Sequence, residues 1–408
     1  MTAHVCITGI GITCAAGNNV AETLASLLEE KTGKSDITRF ETIHKGVIPV
    51  AEVKMTTEAL LEATGHSGAR NFTRTSLLGM KAAKEAVESA GITEISRHRT
   101  GLISATTVGG MDRSEHFYAA YLADPAKGRL IDIVGHDCAD STERIAEHLG
   151  IRDFVTTVST ACSSSVNALM FGANLIRSGQ LGCVIVGGTD AMARFTLNGF
   201  NTLMILDKNG CRPFDEHRAG LMLGEGAAYL VLEPEEIALK ENRQALAVVS
   251  GYGNANDAYH QTASSPEGKG AYLAMSKALA MSGLTPGEID YINVHGTGTQ
   301  NNDLSEGMAI QRIFGDRVPP FSSTKGFTGH TLGAAGAVEA VISILAIRHQ
   351  VVFGNQGFTT PMKELNIQPV IHAQPAKIQH VLSNSFGFGG NNSSVILSKV
   401  VGHGKKNV

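Results

Sequence analysis

Paired cysteines, an excess of positive charge, a leader-like start and a long apolar run are all missing from this 408-residue chain, and each absence removes a class of function. The six cysteines, Cys6, Cys14, Cys138, Cys162, Cys183 and Cys211, stand far apart with no C-x-x-C pair, so neither a zinc site nor a dithiol motif is indicated. They read as free cytosolic thiols rather than a disulfide framework. The 34 Lys and Arg against 38 Asp and Glu leave a net charge of −4, with no global basic field for nucleic acid. The opening MTAHVCITGIGITCAAG lacks the charged n-region and long apolar run of a signal peptide. The most apolar stretch, AVEAVISILAI (337–347), is too short to cross a bilayer. A cytoplasmic protein without membrane insertion is expected. No G-x-x-x-x-G-K-[ST] occurs, and after Gly9-x-Gly11 the third glycine of a dinucleotide loop is replaced by Cys14. HGTGTQNND offers no second histidine or carboxylate at ligand spacing, so no metal is expected.

What is present is a strand-and-helix alternation rich in glycine. Strand-like runs bounded by glycines appear at HVCITGIG, TGLISATT, CVIVGGTD, AAYLVLE, ALAVVSGYG, YINVHGTG and HVLSNSFGFGG. Helical patterns lie between them, at 76–90, 163–178, 270–282 and 330–348. This argues for α/β layers. No Pro- or Ser-rich linker divides the chain, and the tail GHGKKNV reads as disordered. FVTTVSTACSSSVNALMFGANLIRSG and PFSSTKGFTGHTLGAAGAVEAVISILAIRHQ share one grammar: strand, Thr/Ser-rich turn, small-residue helix. Two related halves, 1–240 and 241–408, are expected, with two unrelated α/β domains as the alternative.

Three residues stand where such a frame does chemistry. Cys162 begins a helix, where free N–H groups and the dipole favour a thiolate. By itself it fits a buried structural cysteine equally well. His295 ends a strand before GTGT, and His330 opens a helix beside glycines, neither with bulky neighbours to pack against. Together with the cysteine they suggest a Cys–His–His site, whose neutral imidazoles donate to a developing oxyanion or enolate. Lys325 and Glu339 are either a surface pair or a partly buried ion pair fixing the second histidine. NSFGFGGNNS, with Phe386 and Phe388, is either a strand-end bulge or a loop bringing a backbone N–H and an aromatic gate to a pocket.

TACSSS, VHGTGT, STKGFTGHTLGAAGAVEA and NSFGFGG, in this order, resemble the β-ketoacyl-acyl-carrier-protein synthases, in their type II elongating branch. The likeness runs from VCITGIGITCAAGN through RPFDEHRAGLMLGEGAAYLVLE to the C-terminal loop. It implies the thiolase fold, two similar α/β halves in five αβαβα layers, as a dimer. Carried onto this chain, it makes Cys162 the acyl-accepting nucleophile. His295 and His330 then promote decarboxylation of a malonyl carrier and stabilise the enolate, supported by Lys325 and Glu339. The N–H groups of Cys162 and Phe388 form the oxyanion hole, Phe388 gates with Phe386 beside it, and Thr297 and Thr299 bind the phosphopantetheine arm. No free cofactor is implied. The partners implied are acyl-carrier protein and either a second copy or a chain-length-factor-like subunit.

Degradative thiolases carry a second cysteine in the C-terminal loop and initiating synthases an Asn in place of His330, which sets this chain apart from both. The alternative function is a non-catalytic thiolase-fold subunit that binds carrier and shapes a partner's tunnel. The loop 132–150 is more polar than in housekeeping relatives, and 70–86 differs from the basic helix offered to the carrier, which suits polyketide or aryl-polyene assembly as well as fatty-acid elongation. Arg74, Lys127, Arg129 and Lys208 are candidate carrier-binding surface residues.

Overall fold

The computed structural model describes residues 4–400, so the tail GHGKKNV lies outside the described residues. Its strands are β1 (Val5–Cys14), β2 (Thr100–Ala105), β3 (Phe154–Val158), β4 (Cys183–Asp190), β5 (Gly226–Pro234), β6 (Ala247–Asn256), β7 (Tyr291–Asn293), β8 (Phe321–Ser322), β9 (Val351–Val352), β10 (Gln374–Pro375), β11 (His380–Phe386) and β12 (Asn391–Ser398). Among the described residues, ten of them form one sheet in the order β3-β2-β4-β5-β1-β6-β12-β11-β7-β8, and β9 pairs with β10.

That order contains a repeat. In β3-β2-β4-β5-β1 the first two pairings are parallel and the next two antiparallel. In β8-β7-β11-β12-β6 the senses are identical. The two sets meet where Cys6 and Ile7 of β1 pair with Val248 and Ala247 of β6. The faint grammar repeat in the sequence is thus a repeat of topology.

Helices fill the layers around the sheet. Arg74–Ser89 and Cys138–Leu149 bury their apolar faces on the outside of the first set, and Lys269–Ser282 with Gln300–Phe314 do so on the second. Ser164–Arg177 and Ala335–His349 lie between the sets, within the largest apolar core. The result is the αβαβα layering of a thiolase-like fold. Leu332–His349 is long and apolar enough to cross a membrane, contrary to the expectation for 337–347, but 89% of that window is buried in the protein. It is apolar all round because it is the central helix.

One further expectation, the loop 132–150, is corrected, and two other segments find their structural role. Gly9 and Gly11 serve a close helix contact: a Cβ there would sit 2.2 Å from the Ala86 carbonyl oxygen and 2.1 Å from that of Ala82. Much of the loop expected over 132–150 is the helix Cys138–Leu149, capped by the Asp137 side chain. Its polar-looking Ser141 and Thr142 are buried with Ile145 and Ala146, so polarity hid the helical face. The helix Arg74–Ser89 buries ten of its sixteen residues, Arg74 among them, and its exposed Lys84 lies beside Glu88, in keeping with the expected departure from a basic carrier-facing helix.

Candidate active site

The turn between β3 and the helix Ser164–Arg177 places Cys162. Ala161 adopts a left-handed φ of +53°, which turns the chain sharply just before the cysteine. Ser164 Oγ accepts the Thr160 N–H at 2.7 Å, and Ser385 Oγ donates to the Cys162 carbonyl at 2.9 Å, so both halves grip the turn. His295 stands just beyond β7. Glu306 holds it through the backbone, its carboxylate accepting the N–H groups of His295 and Gly296 at 2.9 and 2.8 Å. Burial pushes the Glu306 carboxyl up to about 7. His330 is fixed at the backbone by Met222, whose carbonyl accepts its N–H at 2.7 Å. It precedes the long helix by a 3-10 turn, Leu332–Ala334, rather than opening the helix itself.

These three residues, far apart in sequence, converge. One ligand-capable atom from each of Cys162, His295 and His330 lies within 4.8 Å of the others, and all three side chains are buried. The imidazole centroids are 5.4 Å apart and the rings nearly perpendicular. Burial, followed by the Lys325 charge, holds both histidines well below the ordinary imidazole range, so they are neutral at physiological pH.

Their tautomers are set by their neighbours. Lys325 Nζ stands 3.3 Å from His295 Nδ1, and an ammonium has no lone pair, so Nδ1 accepts and Nε2 carries the proton. The Leu332 N–H donates to His330 Nδ1 at 3.2 Å, with the same consequence. Two Nε2–H donors therefore serve the pocket.

Lys325 and Glu339 form an ion pair, with side chains 1% and 2% exposed. The Lys325 ammonium also donates to the His295 carbonyl at 2.6 Å, so its three protons have three acceptors. Burial raises the Glu339 carboxyl to about 7, against the opposing pull of Lys325. The pair is fully buried, and it touches His295 rather than the expected His330.

The thiol corrects another expectation. Burial pushes Cys162 up to about 11, outweighing the Lys325 charge and a hydrogen bond from the Phe388 N–H, so the resting group is a thiol despite the helix start. That Phe388 contact also brings one of the expected oxyanion donors to the sulfur.

Two cavities open from Cys162. One, of about 420 Å³, runs past His295, Thr297, Thr299 and His330 to Ser264 and Asn301. Thr297 and Thr299 hydroxyls lie 2.9 Å apart along it. The other, of about 430 Å³, is apolar and lined by Val108, Met111, Phe195, Phe200, Leu203 and Leu332. Phe388 borders both and stacks on Phe200 with centroids 6.0 Å apart, while Phe386 lies 5.9 Å from the His295 ring. Met111, Phe195 and Phe200 escaped sequence reasoning because apolar residues on helices look like core. Glu306 escaped it too, although an acid on the helix after a glycine turn is a natural acceptor for that turn's free N–H groups.

The surface candidates divide. Arg74 is 4% exposed and pairs with Glu225 at 2.6 Å, so it is a core residue and no carrier contact. A buried Glu225 carboxylate needs that partner. Lys127 and Arg129 are exposed beside Asp124 and Asp132, and Lys208 is exposed three residues after pocket-lining Ile205.

Residues 2–238 match the Beta-ketoacyl synthase N-terminal domain family, and residues 246–359 match its C-terminal domain family. The chain is 34% identical over 413 residues to 3-oxoacyl-[acyl-carrier-protein] synthase 2 of Coxiella burnetii, covering 97% of this chain and 99% of that protein. Among solved structures it resembles the ishigamide ketosynthase/chain length factor, with 32% identity, a TM-score of 0.94, and 98% and 100% of the two chains covered. It also resembles the ketosynthase ApeO in complex with its chain length factor ApeC from Xenorhabdus doucetiae, with 31% identity, a TM-score of 0.83 and 98% of each chain covered.

Proposed function

This chain belongs to the β-ketoacyl synthase family, and from that premise we propose that it is an elongating 3-oxoacyl-acyl-carrier-protein synthase using Cys162, His295 and His330. The observation that carries the reading is the convergence of one thiol and two neutral imidazoles at the junction of a polar and an apolar cavity.

The chemistry proceeds in two stages. An acyl thioester enters along the polar cavity, its pantetheine arm against Thr297 and Thr299, and its acyl chain in the apolar one. Cys162 sulfur bonds to the thioester carbon while the carbon–sulfur bond to pantetheine breaks, and the thiol proton ends on the departing pantetheine sulfur. The N–H groups of Cys162 and Phe388 carry the transient oxyanion. A malonyl carrier then loses carbon dioxide, and the Nε2–H groups of His295 and His330 donate to the enolate oxygen. The enolate carbon attacks the acyl carbon, the Cys162 sulfur leaves as thiolate, and a proton from solvent restores the thiol. Lys325 and Glu339 hold His295 as a donor. The protein groups supply every donor in this scheme without a free cofactor.

The halves 1–240 and 241–408 then divide the work, the first bringing the nucleophile and most of the acyl pocket's lining and the second the histidines, with Leu332 and Phe388 closing that pocket. Acyl-carrier protein is the substrate's bearer, with Lys127, Arg129 and Lys208 as candidate contacts. The companion subunit is a second copy or a chain-length-factor-like relative. The half-buried edge strand β3 with exposed Val155, and exposed Tyr118, Leu122 and Leu130, support such a companion. A cytoplasmic location accords with this pathway, whether fatty acid, polyketide or aryl polyene.

The test is mass spectrometry after incubation with acyl-carrier proteins of differing chain length, with and without malonyl carrier. An acyl mass on the Cys162 peptide, absent in Cys162→Ala, and then β-ketoacyl product, is expected. Folded protein that binds carrier but gains no adduct from any donor would overturn the condensing role in favour of a non-catalytic subunit.

A further inference from the structure

The two backbone donors of the proposed oxyanion hole come from places 226 residues apart in the chain, on separate halves of the fold. Each must sit within about 2.7–3.1 Å of one oxygen for the hole to work. Something must therefore set their separation.

Asn391 is placed to do it. It begins β12 directly after the turn that carries Phe388. Its backbone carbonyl accepts the Gly387 N–H at 2.9 Å, closing that turn at its base. Its side-chain oxygen accepts from Ser163 Oγ at 2.7 Å, Asn167 Nδ2 at 2.9 Å and Asn254 Nδ2 at 2.8 Å. Ser163 adjoins Cys162, Asn167 lies near the start of the helix Ser164–Arg177, and Asn254 stands on the neighbouring strand β6. The orientation of the amide is fixed by its surroundings, because two NH₂ groups facing it demand an oxygen. The cluster closes on itself: Asn167 Nδ2 also donates to Thr160 Oγ1 at 2.8 Å, and Asn167 Oδ1 accepts from Ser393 Oγ at 2.8 Å.

We propose that Asn391 is a positioning residue whose side-chain oxygen ties the Phe388 turn to the Cys162 turn and thereby sets the spacing of the two oxyanion donors. It touches no reacting atom. This rests on the reading of Cys162 as nucleophile and of the Cys162 and Phe388 N–H groups as the hole.

Acyl transfer and alkylation separate this role from a merely structural one, since iodoacetamide alkylates a thiol without forming an oxyanion. Asn391→Ala is expected to slow acyl transfer from an acyl-carrier protein to Cys162 about 10- to 100-fold, the scale of a misplaced catalytic group. The KM for the acyl carrier and the rate of Cys162 alkylation stay within about threefold of wild type. Asn167→Ala, which loosens the same tether from the Cys162 side, is expected to show a smaller loss of the same kind. In the double variant the losses should fall short of additive. Equal losses of acyl transfer and alkylation, or no loss in either, would overturn the proposal. A wild-type protein that alkylates normally but accepts no acyl group would instead sink the function on which it rests.

Discussion

The two halves share one strand order and yet carry different chemistry, and the difference lies in the connections that leave equivalent strands. After β3 the chain needs only residues 159–163 to reach its central helix, and Cys162 falls at the entrance of that helix. After β8 it takes residues 323–334, long enough for a helical turn bearing Lys325 and for His330 before the second central helix starts. The same contrast holds one strand over. The segment after β2 gives Thr107, Val108 and Met111 to the apolar cavity, with the buried Asp190 carboxylate accepting the Thr107 and Val108 N–H groups at 3.0 Å each. The segment after β7 gives His295, Thr297 and Thr299 to the polar cavity. A repeated frame thus delivers two sets of turns to one point, and the turns, free of the sheet's demand for buried apolar residues, divide the labour.

Removing the first half's contribution has the largest expected effect. Cys162→Ala should lower condensation about 10⁴-fold or more, the scale for loss of a covalent nucleophile, and should erase the acyl adduct in the mass spectrum. In the second half, Lys325→Met strands a buried Glu339 carboxylate, and urea unfolding should show a loss of about 3–5 kcal/mol. Glu339→Gln removes the opposite charge, so a comparison of the two variants separates the cost of each orphan. His330→Ala removes one enolate donor and should cut product formation by about 10²–10³-fold while the Cys162 adduct still forms. If that adduct vanished as well, the division between the halves would collapse into a single unit.

A pH series sharpens the same contrast. With the Cys162 thiol raised to about 11, the reactive thiolate fraction rises about tenfold per pH unit from pH 7 to 10, and iodoacetamide labelling should track that slope. The histidines, held well below their ordinary range, stay neutral throughout and should add no inflection. A labelling rate already flat by pH 8 would mean that the helix entrance overcomes burial after all. The smallest effect is expected at the surface: Lys127→Ala changes the KM for acyl carrier by about twofold, as for a single exposed, screened charge. Arg74→Ala, in contrast, should reveal itself in unfolding rather than in carrier binding.

Much of this was legible in the chain because local pattern carries it. Glycine-bounded strands and small-residue helices marked the layers, and Cys162, His295 and His330 stood at turns among small residues, with nothing bulky to pack against. Other features depended on partners distant in sequence. Arg74 looks like any surface arginine until Glu225 meets it, 151 positions away. Lys325 stands nearer in the chain to His330, yet its ammonium reaches His295 at the end of the neighbouring strand β7, and Ser141 with Thr142 disguised a buried helical face as a loop.

The sequence alone determined the alternation of strands and helices, the halves' shared grammar and the presence of a thiol and two imidazoles at chain turns, because these arise from periodicity and residue chemistry within a short window. Tertiary structure decided which nitrogen of each imidazole bears the proton, that the thiol is protonated at rest and where the two cavities meet. The thiol's protonation and the meeting of the cavities depend on burial and on groups from both halves of the chain. The His295 tautomer depends on Lys325, thirty positions away, whereas the His330 tautomer rests on the folded turn that aims the Leu332 N–H at its ring.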